Sequence, residues 1–129
     1  MKNNSNLIFL ISQPRAGSTL IQRMLGCHSE IYTVSEPWIM LHPLYALKQK
    51  GIETEYSSEL ALKGLMDFFS LREEGRSFYL EEMRTMYGNL YSDLLRLNGK
   101  KYFLDKTPRY YFIIEELREL FPDAKFIFL

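Results

Sequence analysis

The chain has 129 residues, a length that fits one domain with a core of its own. Its 16 lysines and arginines balance 16 aspartates and glutamates, so it lacks the basic excess typical of nucleic-acid-binding proteins. The single thiol, Cys27, excludes an internal disulfide, and the apolar run at Leu7 to Ile11 is too short for a membrane span or a secretory signal. We therefore expect a cytoplasmic protein that binds neither nucleic acid nor membranes.

The stretch from residue 7 to residue 25 predicts a strand, a tight loop and a helix. Leu7 to Ile11 is rich in strand formers, and Pro14 would end the strand because it cannot donate to a sheet ladder. Gly17 allows a tight turn and a close approach of the backbone to a ligand, and the helix is expected from Ser18 onward. Four apolar residues of this helix recur at helical spacing and are expected to share one buried face: Leu20, Ile21, Met24 and Leu25.

The loop between this strand and this helix is a candidate anion site. Free backbone N–H groups and the positive end of the helix dipole converge there. Arg15, Ser18 and Thr19 suit a phosphate, because a guanidinium forks onto two oxygens and stays charged. The alternative is an ordinary turn with a surface arginine. A nucleotide triphosphatase loop is excluded, since that motif has a lysine before the hydroxyl residue and this chain has Gly17 there.

A second strand is predicted at Ile31 to Val34, and Glu36 follows its carboxyl end. In open α/β sheets the ligand crevice lies outside the carboxyl ends of the strands. We therefore expect Glu36 to face the same crevice as Arg15. The alternative is a glutamate that is stabilised only by a neighbouring helix N-terminus.

Residues 39–98 predict a helical insertion. Ile39 to Lys50 is expected to be helical with an interruption at Pro43. Apolar residues at helical spacing predict two further helices, from about Ser57 to Leu71 and from about Ser77 to Leu97, the second of which ends at Asn98-Gly99. His28 and His42 stand at no metal-ligand spacing, so no metal site is predicted.

The last part of the chain predicts a strand, a helix and a strand. The first strand is expected from Lys100 to Asp105 and the last from Lys125 to Leu129. Between them, Thr107 as N-cap and Pro108 at the first helical position predict a helix that runs to Phe121. Short links make this a parallel, right-handed βαβ unit.

The chain ends in an apolar, strand-like run, whereas chain termini are usually polar and mobile. We therefore expect residues 1–129 to be the N-terminal part of a single domain, with a helical insertion at about residues 39–98 and a C-terminal part that is not covered.

Three stretches resemble sulfotransferases that use 3′-phosphoadenosine 5′-phosphosulfate (PAPS). They are QPRAGSTLIQRML at residues 13–25, DKTPR at 105–109 and LFPDAKFIFL at 120–129. The form with Arg15 and the paired Ser18-Thr19 is closer to the tyrosylprotein, carbohydrate and bacterial branch than to the cytosolic branch. The resemblance implies an α/β fold of the P-loop-like three-layer α/β/α type, with a central parallel sheet and a helical insertion.

The resemblance also implies roles for the site residues. Glu36 would take the proton from a hydroxyl acceptor, while Arg15 and Lys106 would neutralise charge on the departing group. Pro108 stands where the cytosolic branch has its catalytic histidine, which leaves Glu36 as the base. The cofactor-binding residues would be Arg15, Ala16, Gly17, Ser18 and Thr19. The product would be 3′-phosphoadenosine 5′-phosphate (PAP), without a metal; the acceptor would be a small-molecule, glycan or peptide hydroxyl, and the 3′-phosphate site would lie beyond Leu129.

Two other functions fit the same architecture. A nucleotide or nucleoside kinase-like enzyme shares the P-loop fold, and a non-catalytic nucleotide-binding module would keep the fold without turnover.

Overall fold

A computed structural model describes residues 3–129 of the chain. Its elements, in chain order, are β1 (Leu7–Ile11), α1 (Ser18–Gly26), β2 (Ile31–Thr33), α2 (Leu41–Tyr45), α3 (Ser58–Phe69), α4 (Gly75–Asn98), β3 (Tyr102–Asp105), a 3-10 turn (Tyr110–Phe112), α5 (Ile114–Leu120) and β4 (Lys125–Phe128). No helix of this part of the chain is long and apolar enough to cross a bilayer.

The strands of residues 3–129 form one parallel sheet in the order β2-β3-β1-β4. The opening strand β1 lies inside the sheet and is buried along its whole length. Full burial of a strand is typical of parallel sheets that are covered on both faces. The predicted α/β class with a central parallel sheet is confirmed.

Alternate residues of β1 point to opposite faces of the sheet and enter two different cores. Phe9 packs in the larger core with Tyr91 of α4 and Leu117 of α5. Leu10 packs in the smaller core with Ile21 of α1. Helices therefore cover both faces of the sheet, which is the predicted three-layer arrangement.

The helical insertion is present, and its two long helices lie where the periodicity predicts them. α4 ends at Asn98 because Gly99 takes the left-handed conformation (φ 60°) of a helix C-terminus. The shorter helix differs from the prediction, since only Leu41–Tyr45 of the expected Ile39–Lys50 helix is formed. Beyond it the chain forms turns in which a backbone N–H donates to the carbonyl three residues earlier. One example is the bond from the Lys48 N–H to the Tyr45 carbonyl.

The apolar face of α1 is narrower than predicted. Ile21 and Leu25 pack on the sheet, whereas Leu20 and Met24 are 63% and 62% exposed. Successive helical residues are turned by about 100°, so the pair one position earlier points away from the sheet. The buried polar residue of α1 is Gln22.

The helix expected from Thr107 begins later. A 3-10 turn comes first, and α5 starts at Ile114 without a side-chain cap. The Thr107 hydroxyl does not cap a helix, because it donates to the Asp105 carboxylate and accepts the Trp38 N–H.

Candidate functional site

The carboxyl ends of β1, β2 and β3 bring together three side chains from distant parts of the sequence. Lys106, directly after β3, donates from Nζ to Oε1 of Glu36, which follows β2, at 2.9 Å. The same Nζ lies 3.4 Å from Oγ1 of Thr19, in the first turn of α1. Glu36 is thus linked through Lys106 to the first turn of α1, at the edge of the sheet where the parallel strands end.

Lys106 and Glu36 form an ion pair in which the lysine is buried and the glutamate is partly exposed to solvent. The Lys106 side chain is 4% exposed, and that of Glu36 is 37% exposed. A buried ammonium needs a charged or hydrogen-bonding partner, and Glu36 supplies one. The exposed part of Glu36 leaves its carboxylate accessible to a molecule from solvent.

The loop after β1 presents open backbone to the same region. Gly17 is the N-cap of α1 in the left-handed conformation (φ 83°), and a Cβ added there would meet no atom within 4 Å. A glycine N-cap has no side chain to accept from the first helical N–H groups, including those of Ser18 and Thr19. These donors, with the positive end of the helix dipole, fit an anionic group.

Backbone strain is concentrated at this edge of the sheet. Among residues 3–129, positive φ in a non-glycine residue occurs at Arg15 (61°), Glu36 (26°) and Trp38 (57°). Each such residue costs about 1–3 kcal/mol and persists only where its surroundings hold it, most often at functional sites. The exposed Arg15 makes no ion pair with any carboxylate of the described residues, and no contact joins it to Lys106 or Glu36.

A model of the sulfotransferase family matches residues 7–129, which include the loop, the Lys106 stretch and the last strand. The chain belongs to the sulfotransferase family. It is 32% identical over 123 residues to nodulation protein NoeE of Sinorhizobium fredii (strain NBRC 101917 / NGR234), an alignment that covers 95% of this chain and 28% of that protein. The chain thus spans less than a third of that relative's length. The bacterial relative agrees with the predicted branch of the family.

Sequence reasoning missed a buried polar cluster beside this candidate site of the sulfotransferase-family chain. Asp105 is 1% exposed and accepts hydrogen bonds from the hydroxyls of Tyr91 (2.6 Å), Thr107 (3.0 Å) and Tyr110 (3.1 Å). Burial raises the pKa of Asp105 to about 6, and the three hydroxyl bonds oppose that rise. The signal in the sequence was an aspartate at the end of the apolar strand Tyr102–Asp105.

A second missed residue is Gln22, which joins α1 to the strand that leads to Glu36. Its Nε2 donates to Thr33 Oγ1 and to the Val34 carbonyl, both at 2.8 Å. Thr33 Oγ1 in turn donates to the Leu104 carbonyl of β3 at 2.8 Å. These bonds tie the ends of β2 and β3 to α1, the helix that follows the candidate anion loop.

The two histidines lie outside this constellation. His28 accepts the Glu30 N–H at 3.2 Å, and His42 lines a cleft between α2 and α3. Within residues 3–129, no three histidine, cysteine, aspartate or glutamate side chains are grouped as metal ligands.

Proposed function

We propose that this chain binds the phosphosulfate end of PAPS and contributes the catalytic base for transfer of a sulfuryl group to a hydroxyl acceptor. The observation that supports this most is the meeting of Lys106, Glu36 and Thr19 at the carboxyl edge of a parallel sheet, beside the open loop after β1. A cation, a base and free amides in one place suit transfer of an anionic group.

The proposed anion site is the loop Arg15, Ala16, Gly17, Ser18 and Thr19. PAPS, when bound, would supply the sulfuryl group that passes to the acceptor hydroxyl, and its 5′-phosphate would leave as part of PAP. The loop amides and the hydroxyls of Ser18 and Thr19 would bind the 5′-phosphate, because the backbone at Gly17 borders open space and Thr19 is exposed. Arg15, without a carboxylate partner among residues 3–129, would add a charge that can pair with two anionic oxygens.

Glu36 is proposed to accept the proton of the acceptor hydroxyl. Its carboxylate is accessible from solvent and is oriented by Lys106. Protonation would remove the negative charge that Lys106 faces. The buried ammonium would then be available to stabilise negative charge that builds on the departing phosphate. Positioning and charge stabilisation are the main contributions that a protein makes to the related phosphoryl transfer.

The experiment measures PAP binding by calorimetry and transfer from labelled PAPS to phenolic, sugar and peptide hydroxyls, with protein expressed from its complete reading frame. Glu36→Gln is expected to keep PAP affinity and to lower kcat by roughly 10²- to 10⁴-fold, the usual contribution of a general base. Glu30→Gln is the matched control, since Glu30 precedes β2 at the opposite end of the sheet and its ion pair with Lys101 is long, at 3.9 Å.

Three outcomes would contradict the proposal. Absence of PAP binding would disprove the anion site. ATP binding with phosphoryl transfer would favour the kinase-like alternative. PAP binding without sulfuryl transfer to any acceptor would favour a non-catalytic nucleotide-binding module.

A further inference from the structure

The Asp105 cluster, which consists of Asp105, Tyr91, Thr107 and Tyr110, also contacts the backbone that follows Glu36. Thr107 Oγ1 accepts the Trp38 N–H at 3.3 Å, and the Tyr110 hydroxyl accepts the Met40 N–H at 3.1 Å. Each of these two hydroxyls therefore donates to Asp105 and accepts from the segment that carries Glu36.

The carboxylate determines the direction of both hydroxyls. An ionised carboxylate only accepts, so each hydroxyl commits its single hydrogen to Asp105 and turns its lone pairs elsewhere. The lone pairs of Thr107 and Tyr110 then meet the backbone N–H groups of Trp38 and Met40. A buried chain of this kind is also strengthened by polarisation along it.

The segment held in this way has an unfavourable backbone. Glu36 and Trp38 both have positive φ, at 26° and 57°. Such conformations relax unless other contacts hold them. The bonds to Trp38 and Met40, together with the fully buried Met40 side chain, hold the segment immediately after Glu36.

The same strand end holds Glu36 by its side chain. Lys106, between Asp105 and Thr107 in sequence, donates to the Glu36 carboxylate at 2.9 Å. Two successive residues after β3 thus hold this region. Lys106 contacts the side chain of Glu36, and Thr107 contacts the backbone two residues after Glu36. A displacement of the segment would move the carboxylate relative to both Lys106 and the acceptor.

We propose that Asp105 is a positioning residue, which acts through the Thr107 and Tyr110 hydroxyls to hold the backbone after Glu36 in the conformation that sets the base against Lys106. This inference rests on the proposed function, because it takes Glu36 as the base. Asp105 itself is 1% exposed and touches no reacting atom.

The third member of the cluster provides a matched control. Tyr91 belongs to α4, on the side of the sheet covered by the larger core. Its hydroxyl donates to the Asp105 carboxylate at 2.6 Å. It holds no backbone N–H of the Glu36 segment. Tyr91→Phe and Tyr110→Phe each delete one buried hydroxyl that donates to Asp105, but only Tyr110→Phe releases the Met40 N–H.

The experiment compares Tyr110→Phe, Thr107→Val, Thr107→Ser and Tyr91→Phe in protein from the complete reading frame. Tyr110→Phe and Thr107→Val are expected to lower kcat by roughly 10- to 100-fold, because a misplacement of about 1 Å can cost 10²-fold. Their KM for PAPS is expected to change by less than about threefold, since the loop after β1 is untouched. Tyr91→Phe should keep kcat per folded molecule within about threefold, and Thr107→Ser should restore most of the activity lost in Thr107→Val.

Hydrogen exchange at the Trp38 and Met40 amides provides a readout that is independent of activity. Exchange is expected to quicken in Tyr110→Phe and Thr107→Val and to stay as in the unaltered protein in Tyr91→Phe. Thermal unfolding of all four variants separates these effects from a general loss of stability. If Thr107→Val does not fold, Tyr110→Phe against Tyr91→Phe carries the comparison.

The inference is overturned if Tyr110→Phe keeps full kcat, or if Tyr91→Phe loses as much activity as Tyr110→Phe. Either result would make the cluster a packing feature of the core. A different pattern marks failure of the proposed function, namely no sulfuryl transfer by the unaltered protein. In that case the exchange rates decide, and equal rates in Tyr110→Phe and Tyr91→Phe would disprove the positioning of the segment.

Discussion

Replacing Lys106 with methionine removes the positive charge and keeps most of the side-chain volume. The Lys106 side chain is 4% exposed, so its aliphatic stem is packed in the protein. Methionine has a similar unbranched shape and fills the same space without a charge. The variant loses the ammonium that lies 2.9 Å from Glu36 and 3.4 Å from Thr19.

The expected loss is much larger in catalysis than in stability. Truncating one partner of a fully buried ion pair costs about 3–5 kcal/mol, but an exposed pair contributes about 1 kcal/mol or less. Glu36 is 37% exposed, so water can solvate the carboxylate that Lys106 leaves behind. We therefore expect the free energy of unfolding to fall by about 1–2 kcal/mol. Loss of one charge-stabilising donor should lower kcat by roughly 10²- to 10³-fold.

The assay is the initial rate of sulfuryl transfer at saturating PAPS, together with urea denaturation of the same preparations. Lys48→Met is the matched control. The Lys48 side chain is 19% exposed and lies 3.8 Å from Glu116, away from the strand ends. It should lose similar stability and keep kcat within about threefold.

A Lys106→Met variant that is folded and has near-normal kcat would refute the charge-stabilising role. Equal losses of kcat in Lys106→Met and Lys48→Met would also refute it, because they would show a general effect of removing a lysine that is largely enclosed by the protein.

Three further predictions each concern one residue. Gly17→Ala should lower the free energy of unfolding by about 1 kcal/mol and weaken PAP binding. Alanine is strained at φ 83°, although its Cβ has space. Urea denaturation measures the stability, and calorimetry measures the PAP affinity. Gln22→Leu should destabilise the fold by about 1–3 kcal/mol in urea denaturation, since the Val34 carbonyl loses its donor. For Asp105, the folded pKa of about 6 lies above the ordinary 3.8, so its stabilising contribution is full below pH 3.8 and is lost as the pH rises through 6. The free energy of unfolding should therefore fall by up to about 3 kcal/mol between pH 4 and pH 7 relative to Asp105→Asn, as measured by denaturation at each pH.

Each of these predictions has a clear contrary result. A more stable Gly17→Ala protein with unchanged PAP affinity would show that the left-handed turn is not required. Unchanged stability of Gln22→Leu would show that water replaces its amide. Parallel pH profiles for the unaltered protein and Asp105→Asn would show that Asp105 does not titrate between pH 4 and pH 7.

The sequence by itself determined the α/β class and most of the helices and strands. An apolar run of strand formers, helical spacing and Gly99 are local features, and they predicted β1, α3 and α4 at nearly their observed bounds. Because parallel strands end at one edge of a sheet, the order of motifs also predicted that Glu36 would face the same crevice as Arg15. The Glu36–Lys106 contact is consistent with that prediction.

Only the tertiary structure decided which groups satisfy one another. The Thr107 hydroxyl donates to Asp105 and accepts the N–H of Trp38, which lies 69 residues away in sequence. Local capping rules do not include such a distant partner, and they therefore placed the start of the helix wrongly. Leu20 and Met24 have the spacing of a buried face, but the orientation of α1 on the sheet leaves them in solvent. Burial of Asp105, and with it the hydroxyls that hold the segment after Glu36, likewise depends on packing between α4 and β3, because long-range contacts decide where a polar group finds its partner.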